Sequence, residues 1–265
     1  MTAMMHQLLA LGAWASPAVC VGTLLGAHGI FLLDRVKPRA SMLDPADAAS
    51  APRRDALMRK HGRLLRAVVV FDVLVGAIVT GVWVSWISAL AIPGGVIGVL
   101  AYAGRPPGTR GIGRLKDLPI IKNLGVAVSL VALALAMTLP AIGWSLADAW
   151  PLALGGVLLV LGDAILCDLD DEAADEAFGA ETLPVTLGRG PTIAIATLLI
   201  VAGSAGLALL ERGGGAGERL TWGVGPSLSA AAIVAFSPGR VKSLVDVRLA
   251  VIAVLAGGIG VTLAL

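Results

Sequence analysis

The chain has 265 residues, of which 57% are hydrophobic and 14% are charged, and its mean hydropathy is +0.89. Because a soluble domain carries about 25% charged residues, this composition excludes an ordinary soluble protein. It predicts one all-α integral membrane domain over residues 1–265. The net charge of only +2 gives no reason to expect a nucleic-acid partner, and none is predicted.

Eight apolar stretches are long enough to span a membrane as helices, which takes about 20 residues each. The 34 glycines are typical of membrane helices, in which small residues let two backbones approach closely. In chain order the predicted spans cover 7–33, 64–84, 86–103, 119–140, 147–167, 191–211, 220–236 and 247–265.

The Lys and Arg residues are distributed unequally between the two sides of an eight-span bundle. Eighteen of the twenty fall on one side, and only Arg212 and Arg219 fall on the other. Since positively charged loops stay in the cytoplasm, the chain is predicted to lie in the inner, cytoplasmic membrane. The loops predicted to face the cytoplasm are 34–63, 104–118 and 168–190.

An acidic loop follows the fifth predicted span. Eight of the eighteen acidic residues lie between Asp163 and Glu181. On a continuous helix, Asp168, Asp171 and Asp175 would share one face, because their spacing is i, i+3, i+7. Their carboxylates suit Mg²⁺, which typically takes one or two carboxylates together with phosphate oxygens. The alternative is a solvated acidic loop that binds no metal.

The sequence around these aspartates runs Asp168-x-x-Asp171-x-x-x-Asp175-x-x-x-Gly179-x-x-Thr182-Leu-Pro-Val-x-Leu-Gly188. It resembles the second aspartate-rich motif of the UbiA superfamily of intramembrane prenyltransferases. The resemblance implies a UbiA-like helical bundle that transfers a polyprenyl group from its diphosphate to an aromatic or other lipophilic acceptor. It also implies that Asp168, Asp171 and Asp175 hold Mg²⁺ on the diphosphate, with Asp171 and Asp175 as the catalytic residues.

The segment Gly26–Arg39 resembles the end of the family's first aspartate-rich motif and aligns Asp34 with its third aspartate. By resemblance, Asp34 is a further metal ligand. Gly26, Ala27 and Ile30 stand where the family has an asparagine and two aspartates. One span precedes this segment, whereas the family usually has two. The predicted bundle of about eight transmembrane helices therefore lacks the usual first helix.

The ionisable residues inside predicted spans include His28 and Asp72. A neutral imidazole is a poor Mg²⁺ ligand, so we expect His28 to pack or to form a hydrogen bond. An intramembrane carboxylate normally faces the interior of a bundle. Asp72 is therefore expected to line a cavity or to pair with a cation.

Cationic residues that could bind diphosphate cluster before the fourth predicted span. Tyr102 and the Leu115-Lys116 pair resemble the family's diphosphate-binding loop. By this resemblance Arg114, Lys116 and Lys122 are expected to contact diphosphate, because Arg and Lys suit phosphate oxygens. The alternative is that these cations only fix the topology of the chain.

The leading hypothesis is an intramembrane, Mg²⁺-dependent prenyltransferase whose partners are polyprenyl diphosphate, a lipophilic acceptor and membrane lipids. Because the first motif is degenerate, the alternative is a UbiA-like protein that binds isoprenoid lipid or supports a membrane complex without catalysis. A CDP-alcohol phosphotransferase is disfavoured because its Asp-Gly-x-x-Ala-Arg opening is absent. A cation transporter would explain buried acids but not the Gly179–Gly188 sequence.

Overall fold

The computed structural model describes residues 17–38, 49, 52–103, 120–143, 145–210, 241 and 244–245. These residues are helical, with turns between the helices and no strand among them. The helices with complete bounds are α1 Pro17–Val36, α2 Pro52–Lys60, α3 Gly62–Trp83, α4 Trp86–Ala103, α5 Ile121–Ile142, α6 Leu146–Asp168, α7 Glu172–Ala177, α8 Leu183–Leu187 and α9 Arg189–Leu210.

By length and composition, α3, α4, α5, α6 and α9 can each cross a membrane. They coincide with five of the predicted stretches, so the all-helical, multi-pass membrane architecture is confirmed at this level. Helix α1 covers part of the predicted stretch 7–33 and continues to Val36. The predicted spans 220–236 and 247–265 lie outside the described residues, so the count of about eight stays a prediction.

Long helices that follow one another in the chain run antiparallel. In the α1–α3 pair, Gly22 faces Thr80 whereas Gly29 faces Asp72, so contacts advance in opposite directions along the two helices. The α4–α5 pair has the same relationship, and Ser88 Oγ of α4 donates a 2.8 Å hydrogen bond to the Ala136 carbonyl of α5. The end of α4, the start of α5 and the end of α6 therefore meet at one end of the bundle. Its cytoplasmic assignment stays a prediction.

The tightest helix pair, α6 with α9, packs through glycine. A Cβ added at Gly203 would lie 2.6 Å from the Gly155 carbonyl oxygen, and one added at Gly162 would lie 2.7 Å from that of Ala196. No side chain fits at such distances, so these glycines set how closely the two backbones approach. This contact fixes the position of the end of α6, where the acidic loop begins.

Candidate functional site

Asp168, the last residue of α6, is held by two side chains from the start of α5. Lys122 Nζ lies 2.9 Å from Asp168 Oδ1, and Asn123 Nδ2 donates a 2.7 Å hydrogen bond to Oδ2. The Asp168 side chain is 5% exposed and that of Lys122 is 32% exposed. Both carboxylate oxygens are therefore engaged by the protein, and the charge of this buried carboxylate is balanced by the ammonium group.

The prediction that Asp168, Asp171 and Asp175 share one face of a continuous helix is wrong. Helix α6 ends at Asp168, a turn follows, and α7 begins at Glu172 with Asp171 at its N-cap. The backbone bonds in the turn join residues three apart, such as Asp171 N to Asp168 O at 3.1 Å. Closely spaced carboxylates repel one another in a helix, which favours the break. The three aspartates consequently occupy three different local environments.

Asp175 is buried at 6% exposure, and Thr182 is buried at 8%. The Asp175 Oδ2 and Thr182 Oγ1 atoms have no hydrogen-bond partner among the described residues. Burial raises the pKa of the Asp175 carboxyl; the Lys122 charge and the neighbouring Thr182 hydroxyl oppose this shift, while Asp168 and Asp171 add to it. A buried oxygen without a partner is costly, so this part of the loop is suited to receive a cation or a hydrogen-bond donor.

The residues after Asp175 shape the loop through their backbone preferences. Gly179 and Gly188 have φ values of +69° and +82°, in the left-handed region that favours glycine. Pro184 occupies the first turn of α8, where its missing N–H leaves no helical bond unmade. Leu183 is buried in a hydrophobic cluster with Leu166 of α6. Much of the motif's continuation therefore folds the loop back onto α6.

Arg189, the first residue of α9, ties the two ends of the acidic loop together. Its Nη1 atom lies 2.7 Å from Glu172 Oε2 and donates a 3.1 Å hydrogen bond to the Leu169 carbonyl oxygen. The Arg189 side chain is 44% exposed, and its two contacts join the start of the acidic loop to the start of α9. Glu176, by contrast, is exposed at the surface of α7.

The predicted metal ligand Asp34 is paired with a cation. Its Oδ1 atom lies 3.1 Å from the Nζ atom of Lys37, whose side chain is only 3% exposed. Two positions of the first motif are used for packing: a Cβ added at Gly26 would lie 3.0 Å from Ile92, and the Ile30 side chain lies against Gly95. This segment of α1 therefore serves helix packing and ion pairing in the described structure.

Among the residues that the structure describes, no three His, Cys, Asp or Glu side chains are grouped so that they could hold a metal ion. Mg²⁺ is usually held by one or two carboxylates together with substrate phosphate and water. The Asp175 Oδ2 atom, which accepts no hydrogen bond from the described residues, is a hard donor suited to such binding. A Mg²⁺ ion that arrives with a phosphate ligand therefore fits this loop, whereas a cage made of protein ligands alone does not.

Of the residues predicted to bind diphosphate, Lys122 lies at the acidic loop 168–190, which is called the carboxylate loop from here on. Arg114 and Lys116 lie outside the described residues. Asn123 was not predicted as a site residue, although it is a polar residue next to Lys122 at the start of an apolar span. Its role depends on a contact between residues 45 positions apart in sequence.

Asp72, predicted to line a cavity or pair with a cation, lies 2.6 Å from the His28 imidazole.

Comparison of the chain with protein-family models, with curated proteins and with solved structures finds no match.

Proposed function

We propose that this chain is an intramembrane prenyltransferase that binds a polyprenyl diphosphate with Mg²⁺ at the carboxylate loop and transfers the polyprenyl group to an aromatic or other lipophilic acceptor. The observation that carries the proposal is the pairing of Asp168 with Lys122 next to Asp175, whose buried Oδ2 atom forms no hydrogen bond within the described residues. Cation and carboxylates lie together where apolar helices end, so a lipid with a charged head group fits the arrangement.

The chemistry of the site follows from charge. Lys122 supplies a positive point charge for phosphate oxygens, and its exposure of 32% leaves it accessible. Asn123 keeps Asp168 oriented through the 2.7 Å bond, independently of Lys122. Asp175 and Asp171 supply carboxylates toward Mg²⁺. When bound, Mg²⁺ would neutralise charge on the diphosphate leaving group.

The polyprenyl tail requires an apolar environment next to this loop. The α6 and α9 residues behind the loop form a hydrophobic cluster that includes Leu166, Leu169 and Ile200. Outside that cluster, large apolar side chains such as Leu154 and Leu198 are exposed on the same helices. A tail of isoprene units can therefore remain in a hydrocarbon environment while its diphosphate reaches Lys122.

A second candidate function is binding of isoprenoid diphosphate without transfer. It is favoured by the first-motif segment, where Gly26 and Ile30 pack against α4 and Asp34 pairs with the buried Lys37. On this alternative the carboxylate loop still binds a diphosphate with Mg²⁺, but no second carboxylate cluster helps the diphosphate to leave.

The test uses the full-length protein in lipid nanodiscs with radiolabelled geranylgeranyl diphosphate and a panel of acceptors: quinone precursors, haem and chlorophyllide. We expect transfer that depends on Mg²⁺ and is lost with EDTA. The double variant Asp171→Asn, Asp175→Asn should lose at least about 100-fold in rate, since it removes interactions with the charge that develops in the transition state. Glu176→Gln is the matched control, because Glu176 lies on the same helix but is exposed.

Binding of the labelled diphosphate is measured in the same samples. Mg²⁺-dependent binding without transfer to any acceptor would favour the second candidate. Full transfer by the double variant would overturn the assignment of these carboxylates, and absence of both binding and transfer would overturn both candidates.

A further inference from the structure

An ionisable pair that includes no residue of the carboxylate loop joins α1 and α3. His28 Nδ1 lies 2.6 Å from Asp72 Oδ2, and Asp72 is near the middle of the membrane-spanning helix α3. The Asp72 side chain is 6% exposed, whereas the His28 side chain is 57% exposed. Ionisable groups at this depth are costly and usually have a functional role.

The geometry of the pair sets the hydrogen-bonding capacity of the imidazole. When Nδ1–H donates this hydrogen bond to the Asp72 carboxylate, Nε2 of the neutral ring remains a hydrogen-bond acceptor. Within the described part of the chain, only Asp72 forms a hydrogen bond with His28. The stability gained from one interhelical hydrogen bond is smaller than the free-energy cost of placing a carboxylate at mid-membrane. Holding α1 against α3 therefore does not by itself account for the pair.

The surroundings of His28 on α1 are apolar. Val21, Leu24 and Phe31 are exposed by 45%, 69% and 53%, and their spacing places them on the same face as His28. This face therefore combines hydrocarbon and aromatic contacts with one hydrogen-bond acceptor. A second anion is disfavoured there because of the neighbouring Asp72 carboxylate.

We propose that His28 and Asp72 form a separate binding site for the hydroxyl group of an otherwise apolar, membrane-borne molecule, an alcohol or a phenol. The hydroxyl donates its hydrogen bond to His28 Nε2, while Asp72 holds the ring and fixes its tautomer. The hydrocarbon part of the ligand lies along Leu24 and Phe31. This site goes beyond the proposed transfer function and does not depend on it.

The experiment uses ¹⁵N NMR of imidazole nitrogens in the full-length protein in nanodiscs. The chain has three histidines, and the His28→Phe variant assigns the His28 signals. The probes are geranylgeraniol and 4-dodecylphenol, each compared with its methyl ether, which cannot donate a hydrogen bond. We expect a saturable shift of the His28 Nε2 signal with a hydroxyl probe and about fivefold weaker binding of the matching ether.

The two hydroxyl probes test whether the ligand is an alcohol or a phenol. The probe that saturates the shift of the His28 signal at the lower concentration identifies the class of ligand. Asp72→Asn should weaken binding of that probe by about fivefold, while Glu176→Gln at the distant carboxylate loop should leave it unchanged. If Asp72→Asn fails to fold, the wild type and the exposed-site variant His28→Phe still decide the question. No shift with either hydroxyl probe, or equal binding of the ethers, would overturn the proposal. Prenyl transfer is not part of the readout, so its absence does not affect the result.

Discussion

Lys122 and Asp168 lie 46 positions apart in sequence, and their side chains meet at 2.9 Å across the α5–α6 pair. The carboxylate is buried and the ammonium group is partly exposed. A buried carboxylate needs a nearby cation to balance its charge. The ion pair that stabilises the contact between α5 and α6 therefore also sets the charge of the site.

The first prediction concerns the coupling between these two residues. In a double-mutant cycle of Lys122→Gln and Asp168→Asn, we expect a coupling energy of about 1–3 kcal/mol, as for contacting residues within one hydrogen-bonded network. Thermal unfolding in detergent, followed by circular dichroism, measures it. Strictly additive losses would show that the contact between the two side chains does not stabilise the fold.

A second prediction concerns Asp175 in the absence of divalent metal. Its folded-state pKa lies above the ordinary value of 3.8 because of burial. Folding therefore favours the protonated form, so the contribution of Asp175 to stability is greatest below pH 3.8 and is lost as the pH rises through the folded-state pKa. Asp175→Asn cannot ionise, and its melting temperature relative to wild type should rise over the same pH interval.

The measurement is a series of melting temperatures at increasing pH in EDTA, with the exposed Glu176→Gln as the matched control. If the difference between Asp175→Asn and wild type were constant with pH, the burial argument would be contradicted. Increased stability together with lost diphosphate binding is the result expected of a functional carboxylate, whose retention lowers stability.

A third prediction separates two roles for Asp34. As the counter-ion of the buried Lys37 ammonium, Asp34→Asn should lower stability by about 1–3 kcal/mol with or without Mg²⁺. The double variant with Lys37→Met should recover part of the loss, because it also removes the unpaired charge. If Asp34→Asn were as stable as the wild type in EDTA but gained less stability from Mg²⁺, Asp34 would instead be identified as a metal ligand.

A fourth prediction tests the α6–α9 contact. Gly203→Ala places a Cβ 2.6 Å from the Gly155 carbonyl oxygen, so the helices must separate, at a cost of about 1–3 kcal/mol. Gly206→Ala on the same helix is the control, since its added Cβ meets nothing closer than 4.0 Å. Its stability should stay within about 0.5 kcal/mol of wild type. If the two variants lost equal amounts of stability, the close contact at Gly203 would not be what limits the approach of α6 and α9.

The five helices that are long and apolar enough to cross a membrane could be predicted from the sequence, because hydropathy over about 20 residues is a local property. The break after Asp168 could not be predicted, because the spacing of the aspartates does not show whether the helix continues through them. The partners of Asp168 and Asp72 could not be predicted either. Both contacts join residues more than 40 positions apart, and they depend on the register in which neighbouring helices pack.

Antiparallel packing also brings two helix ends of opposite polarity together at Asp168. The carboxylate lies at the C-terminal end of α6, whose macrodipole disfavours negative charge, and beside the N-terminal end of α5, whose macrodipole favours it. Each effect is worth about 0.3–1 kcal/mol at a helix end, so the two largely offset each other. Phosphate oxygens that approached Lys122 would also lie near the backbone amides of the first turn of α5. The peptide groups of that turn therefore extend the anion-attracting region beyond the lysine side chain.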